Sequence, residues 1–314
     1  MQESFVAGQE ALLYFWAIGD LHYRAVDPWQ RAHVQRLASM YHDLHELWSQ
    51  EGLPAFCASP GDLVETCEIR DYQLAKATIL LELERVPFYP GVGNHEFYGP
   101  RGELPVHMGE TYTSVWQKPL RYSWSEGVVT CIMLDHPNPH NLDDPKRVFI
   151  SDETLHFLNA TLEANPNGPA VIFLHCPLYN TVLERNSERH SDFSSLDYFF
   201  APVNSDAVRD ILAQHRKACL FLSGHTHSGW ETPGLVKTEQ LGGHPVTFVN
   251  LMSPWYTGNH TGPTLNKAQD KLDYLPDAPN VVPTFAFRIY EKSINIRVRD
   301  HKTKHWLKEW NIAL

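Results

Sequence analysis

Cysteine is scarce in this chain, cationic residues are outnumbered and long apolar runs are missing, and each shortage removes a class of protein. The five cysteines, Cys57, Cys67, Cys131, Cys176 and Cys219, are odd in number, widely spaced and form no C-x-x-C pair. That pattern argues against a disulfide framework or a zinc ribbon and reads as reduced thiols. No apolar run reaches the length of about 18 residues that a membrane helix needs, and no basic segment followed by an apolar one opens the chain. The expectation is a cytoplasmic chain without a membrane span. Lys and Arg number 26 against 37 Asp and Glu, a formal net charge of -11. Extended nucleic acid is gripped through clustered cations, so this balance argues against long polyanions and leaves small phosphate esters or single nucleotides open. No Gly/Ser-rich linker, charge block or repeat divides the 314 residues, which are expected to form a single domain over 1–314 with a β-rich part from about 246 to 314.

What the chain has in excess is histidine, 18 residues in all. Imidazole serves both as a metal ligand and as a proton carrier near neutral pH. Hydrophobic residues make up 43%, enough for a sizeable core without staples. Short apolar runs recur at Leu12 to Ile18, Ala55 to Ala58, Val86 to Val92, Ala170 to Leu174 and Ala218 to Leu222, and read as buried strands that open into loops. Helical spacing of Val34, Leu37, Ala38, Tyr41, Leu44 and Trp48 predicts an apolar stripe on a helix from about Trp29 to Gln50. Leu74, Ala77 and Leu81 repeat the spacing more briefly. Ser151 or Asp152 caps a helix carrying Leu155, Leu158 and Leu162, and Ser205 with Asp206 starts another carrying Val208, Ile211 and Leu212. From Val246 the helical period is lost, and Thr284 to Tyr290, Ser293 to Arg299 and His305 to Trp310 read as strands. Strands alternating with helices make an α/β fold, whose ligand crevice lies at the carboxyl ends of the strands.

Those ends carry, in order, Asp20-Leu21-His22, Gly61-Asp62, Gly93-Asn94-His95-Glu96, His175, and Gly224-His225-Thr226-His227. A lone D-x-H means little. Asp43-Leu44-His45 has the same form inside the first helix, where it reads as solvated decoration, and Gly258-Asn259-His260 repeats G-N-H without the acidic residue. Five blocks, each after an apolar run, are another matter. Their order D-x-H, G-D, G-N-H-[DE], H, G-H-x-H resembles that of the calcineurin-like metallophosphoesterases and covers Ile18 to His227 with no block missing.

The resemblance implies a four-layer α/β/β/α sandwich of two mixed sheets flanked by helices. It implies a metal-dependent phosphoric ester hydrolase in which a metal-bridging hydroxide attacks a small phosphate ester. Asp62 is then the bridging ligand, with Asp20, His22 and His227 on one metal and Asn94, His175 and His225 on the other. Mixed nitrogen and oxygen donors suit two divalent or trivalent transition metal ions among Mn, Fe, Zn, Co and Ni. His95 takes the role of general acid. Its usual orienting Asp is replaced by Glu65, which either reaches His95 or lies at the surface without a role. Glu96 is expected to support a ligand from behind. A phosphodiester or cyclic nucleotide is favoured, with a phosphomonoesterase or nucleotide pyrophosphatase as alternatives and a non-catalytic binding scaffold as the rival class. Long loops at Phe97 to Pro119, His136 to Ser151 and Tyr179 to Val203 are expected to shape the pocket, the last offering Arg185, Arg189 and His190. Tyr98 is open to stacking a base, whereas Trp255 and Tyr256 read as packing residues and Cys176 as a small buried one.

Overall fold

The computed structural model describes residues 10–100, 109–135, 148–182, 194–196, 198, 200–229, 232, 234–255, 264–266, 271–273 and 281–314. Arg185, Arg189, His190, Tyr256 and the Gly258-Asn259-His260 repeat lie outside the described residues, as do parts of all three long loops.

Apolar alternation builds the first sheet. It contains β1 (Leu13–Ala17), β2 (Cys57–Ser59), β3 (Phe88–Pro90), β12 (Pro283–Ile289), β13 (Ser293–Asp300) and β14 (His305–Ala313), in the order β14-β13-β12-β1-β2-β3. β1, β2 and β3 run parallel, while β12 joins β1 antiparallel with Phe287 opposite Phe15. The β-rich C-terminal stretch thus supplies half of the sheet that carries the first catalytic-type loop. The second sheet contains β4 (Tyr122–Glu126), β5 (Val129–Met133), β6 (Ala170–Phe173), β7 (Ala218–Ser223), β8 (Val236–Leu241) and β9 (His244–Asn250), in the order β4-β5-β6-β7-β9-β8. Both sheets are mixed, and the short pair β10 (Thr264–Asn266) and β11 (Lys271–Asp273) stands apart.

The sheets pack face to face because each strand presents alternate apolar residues to the other sheet. Phe15 stacks between Phe56 and Phe287, with centroids at 5.0 and 4.8 Å, and meets Phe173 of the opposite sheet edge-on at 6.1 Å. Outside the first sheet lie α1 (Trp29–Glu51) and α2 (Ile69–Leu83); outside the second lie α4 (Asp152–Ala164) and α5 (Ser205–Gln214). A short α3 (Glu110–Trp116) sits beside α2. The four expected layers are present. Ser151 caps α4 by accepting from Thr154 N at 3.2 Å, whereas the capping position of α5 is Asn204. Among the described residues, no helix is long and apolar enough to cross a membrane.

The structure moves the buried faces of two helices. On α1, Leu37, Tyr41, Leu44 and Trp48 are buried as expected, but Val34 is 51% exposed and Ala38 is exposed; His33, Met40, Asp43 and Leu47 complete the inner face. On α2 the inner face is Asp71, Tyr72, Ala75, Ile79 and Leu83, and Leu81 is 74% exposed. The α1 stripe is right in its main row and wrong at Val34 and Ala38, whereas on α2 the buried row is offset from the expected one and begins at Asp71, which accepts from Ala25 N at 2.8 Å and from Thr66 Oγ1 at 2.6 Å.

Asp43-Leu44-His45 also departs from expectation. Asp43 is not solvated but buried, held by Arg299 through two bonds of 2.8 Å and by His301 Nδ1 at 2.8 Å. Its partners come from β13 and the turn after it, more than 250 residues away, where local spacing carries no signal.

Candidate active site

Five strands deliver the site, three parallel ones from the first sheet and two from the second. β1 ends in Asp20 and His22, β2 in Asp62, β3 in Asn94 and His95, β6 in His175, and β7 runs into His225 and His227. Backbone bonds lock the first two loops together: His22 N donates to Asp62 O and Tyr23 N to Leu63 O, both at 2.9 Å. Five of these residues hold positive φ, namely Asp20 (41°), His22 (50°), Asp62 (52°), His225 (72°) and His227 (46°). This left-handed backbone is unfavourable for residues with a side chain, and such strain persists where the surroundings over-determine it, characteristically at functional sites.

Glycines let the loops close on the carboxylates. A Cβ on Gly93 would stand 2.2 Å from Asp62 Oδ1, and one on Gly224 would stand 2.4 Å from Asp20 Oδ2. The motif glycines are therefore steric requirements of the carboxylate positions.

All seven expected ligands are brought together and buried. Their donor atoms form two groups, each with atoms within 4.8 Å of one another: Asp20, His22, Asp62 and His227 in one, and Asp62, His175 and His225 in the other. Asp62 belongs to both. Its Oδ2 lies 3.1 Å from His175 Nε2 and 3.7 Å from His22 Nε2. Asn94 Oδ1 joins the second group at 3.2 Å from His175 Nε2, and His22 and His227 face each other Nε2 to Nε2 at 3.2 Å.

Carboxylates and imidazoles crowd together in this buried cluster. Burial lifts the Asp20 carboxyl to about 7. Burial would depress His175, but the Asp62 and Asp20 carboxylates overcome it and raise the imidazole to about 9. Burial also works against the Asp62 anion, yet His175, His95 and His22 hold its carboxyl well below the usual range. Asp20 Oδ2 is buried with no hydrogen-bond partner among the described residues. A buried carboxylate oxygen left bare beside converging imidazole nitrogens fits a resident cation, and borderline nitrogen and oxygen donors suit divalent ions.

His95 stands at the edge of the cluster, half-buried, with its ring edge-on to His22 at 4.5 Å. Its Nδ1–H donates to Glu65 O at 2.9 Å, which turns Nε2 away from the backbone. Burial lowers its basicity, but the Asp62 and Glu65 carboxylates outweigh that and raise it. Glu65 is thus neither an idle surface group nor chiefly a partner of His95 through its side chain. Its Oε2 accepts from His22 Nδ1–H at 2.9 Å and lies farther from His95 Nδ1, at 3.6 Å. Donation from Nδ1 leaves the His22 Nε2 lone pair facing the cluster, the tautomer a ligand requires.

Glu96 takes the supporting place expected of it. Its carboxylate accepts from Gly93 N at 2.5 Å, Asp62 N at 2.9 Å and Leu63 N at 2.8 Å, clamping the second and third loops around Asp62. Cys176 and Trp255 are buried packing residues, as expected, and burial pushes the Cys176 thiol far up. Tyr98 is half-buried with its ring 5.3 Å from that of His95.

Several supporting residues escape sequence reasoning. Trp29 Nε1 donates to His22 O at 3.1 Å, His33 Nε2 to Leu21 O at 2.6 Å, and Ser253 Oγ to Asp20 O at 2.6 Å. Asn250 donates to Gly224 O and accepts from Thr226 Oγ1, both at 2.6 Å. A polar residue closing the apolar run of β9 was the available sign of Asn250; Ser253 offered none.

A search of curated protein sequences returns no match. Among solved structures, a dimetal phosphatase from Danio rerio aligns over 97% of this chain and 99% of its own, with TM-score 0.59 and 16% identity. A purple acid phosphatase from yellow lupin (Lupinus luteus) seeds aligns over 96% of this chain and 53% of its own, with TM-score 0.58 and 14% identity. The anchor in the inner membrane complex of Plasmodium aligns over 96% and 89%, with TM-score 0.52 and 12% identity. At these identities the likeness is one of fold. The calcineurin-like phosphoesterase family profile matches residues 13–229, which span every block of the site described above. With that match and two ligand groups converging on Asp62, the chain belongs to the calcineurin-like phosphoesterase family and is a metal-dependent phosphoric ester hydrolase.

Proposed function

We propose that this protein hydrolyses a small phosphate ester, a phosphodiester or cyclic nucleotide ahead of monoesters, at a two-metal centre with His95 as general acid. The observation that carries the reading is the pair of donor groups sharing Asp62, with His95 held beside them by the Glu65 carbonyl. Asp20, His22 and His227 would hold one cation and Asn94, His175 and His225 the other, with Asp62 common to the two donor groups. When bound, two cations lower the pKa of water and neutralise charge on the phosphoryl oxygens. His95 Nε2, turned away from the backbone, carries a proton to the oxygen of the leaving group. The raised basicity of His95 supports a charged imidazole at neutral pH.

The 314 residues act as one phosphoesterase unit, a reading supported by β12–β14 completing the sheet that carries Asp20. Five unbridged cysteines support a reducing compartment such as the cytoplasm. The metals come from Mn, Fe, Zn, Co and Ni, a choice to be made by metal analysis of purified protein. His95→Ala is expected to keep both metals and to slow esters with poor leaving groups by about a hundredfold or more, while good leaving groups suffer less. Equal losses on both kinds of ester, measured with metal content unchanged, would remove the acid role from His95.

A further inference from the structure

Arg24 follows His22 by two residues, where the chain leaves the first catalytic loop. Tyr23 pairs with Val64 in an isolated parallel bridge, and Glu65 N donates to Tyr23 O at 2.9 Å, so Arg24 and Glu65 emerge side by side. The guanidinium stands 5.5 Å over the ring of Trp29. Trp29 is itself buried, tied to His22 O through its Nε1 and packed on Trp255 at 5.5 Å. Arg24 is therefore held on a rigid platform at the His95 side of the site, close enough for its charge to act on Glu65.

Half-buried though it is, Arg24 makes no hydrogen bond and no ion pair among the described residues. The other half-buried or buried arginines there all have an oxygen partner: Arg36 binds carbonyls, Arg121 binds Asp135, Arg209 binds Glu239, Arg288 and Arg297 bind Glu51, and Arg299 binds Asp43. Nearby carboxylates are already engaged, Glu65 with His22 and Asp71 with Ala25 N and Thr66 Oγ1. A guanidinium offers a planar fork of donors matched to a phosphate or carboxylate, and leaving it half desolvated without an anion is unfavourable.

We infer that Arg24 binds an oxyanion carried by the leaving group, a phosphate or a carboxylate, and so selects esters whose departing half is itself anionic. The leaving side is indicated because the proton donor His95 lies next to Glu65, and Glu65 next to Arg24. This inference rests on the phosphoesterase reading above, and it narrows that reading from phosphate esters in general to those with a charged departing half.

The test compares wild type and Arg24→Ala, both metal-loaded, on three compounds: ethyl p-nitrophenyl phosphate, whose leaving group has no separate anion, ethyl p-carboxyphenyl phosphate, and monoethyl pyrophosphate. KM is expected to rise about ten- to hundredfold for one or both charged esters with kcat little changed, and less than about threefold for the nitrophenyl ester. Metal content and melting temperature measured beside the kinetics should match wild type. A larger loss on pyrophosphate assigns the ligand as phosphate, and a larger loss on the carboxyphenyl ester as carboxylate. No change, or the same change on all three esters, overturns the inference. Should wild type cleave none of the three, the phosphoesterase reading falls instead. Calorimetric titration with pyrophosphate then decides Arg24 separately: weaker binding by Arg24→Ala supports the role, and equal binding removes it.

Discussion

Asp20-Leu21-His22 and Asp43-Leu44-His45 are the same three residues in two settings, and both aspartates end up buried beside at least one histidine. Around Asp43 every charge is answered. Two arginine nitrogens and His301 Nδ1 bind its oxygens, and His301 Nε2 accepts from Thr284 Oγ1 at 2.6 Å. Around Asp20 the account does not close: one carboxylate oxygen has no partner among the described residues, its carboxyl is lifted to about 7 by burial, and its backbone sits at positive φ. A buried carboxylate whose bonds are complete stabilises a fold, whereas one left incomplete on a strained backbone is arranged for something else to bind. Sequence pattern does not separate the two cases; the completeness of hydrogen bonding does.

The largest effect that this contrast predicts is at Asp62, the residue common to both donor groups. Asp62→Ala should release both metals together and lower turnover by about a thousandfold or more. Elemental analysis of the purified variant checks it, and retention of two metals per chain would break the contrast at its centre. Asp43→Ala should do the opposite, leaving metal content alone while destabilising the fold by about 3–5 kcal/mol, because Arg299 would stay buried without its anion. The same cluster sets a pH dependence. Burial opposes the Asp43 anion, but Arg299 and His301 outweigh it and hold the carboxyl well below its usual range. Burial lowers His301 as well, despite Asp43. In both cases the unfolded chain binds more protons than the folded one in acid, so these contributions are complete above about pH 6.5. The His301 part is lost first as pH falls from there, and the Asp43 part only as pH falls through its lowered value. Urea unfolding between neutral pH and mild acid should show that slope, carried by His301 and therefore kept in Asp43→Ala, which removes the carboxylate that raises His301.

The site was legible where the chemistry fixes residue type and place. Seven donors and His95 sit at strand ends because the layout of the sheets puts those ends together, and apolar runs ending in polar residues mark them. Glu65 was half legible: its position was visible, but its target was not, because His22 and His95 lie equally near in the pattern and three dimensions chose His22. The layer order was read from the resemblance, while β4 and β8 escaped because no helix spacing or long apolar run sets them off, and β5 escaped although Val128 to Leu134 is apolar but for Thr130. The α1 face was read in its main row but without His33 and Asp43, because hydropathy gives no credit to buried polar residues with partners, and on α2, where apolar residues lie on both sides, spacing alone chose the exposed Leu81 over the buried Ile79 and Leu83.

Glu65 gives a smaller effect than Asp62 or Asp43 and sharpens the difference between holding a ligand and donating a proton. Glu65→Ala should weaken metal binding by about ten- to hundredfold, since His22 loses the acceptor that fixes its tautomer. Glu65→Gln, which keeps a carbonyl for Nδ1–H, should recover most of it. His95 keeps its backbone acceptor in either variant and loses only the charge of the Glu65 carboxylate, so the dependence of rate on leaving group at saturating metal, measured at a pH low enough to keep His95 protonated, should not change. A change there would return Glu65 to the role of orienting His95.

The smallest effect, expected at Val34, tests the face of α1 that turns Asp43 inward. Leu37 and Asp43 lie on its buried side and Val34 on its exposed side, although Val34 and Leu37 share one apolar spacing in the sequence. Leu37→Ala opens a cavity against the first sheet and should cost about 2–5 kcal/mol. Val34→Ala removes methyl groups already facing water and should stay within about 0.5 kcal/mol. The pair is measured by chemical denaturation with the slope checked for constancy. Equal losses would mean that the helix is rotated about its axis from the position described, and that rotation would also withdraw Asp43 from Arg299.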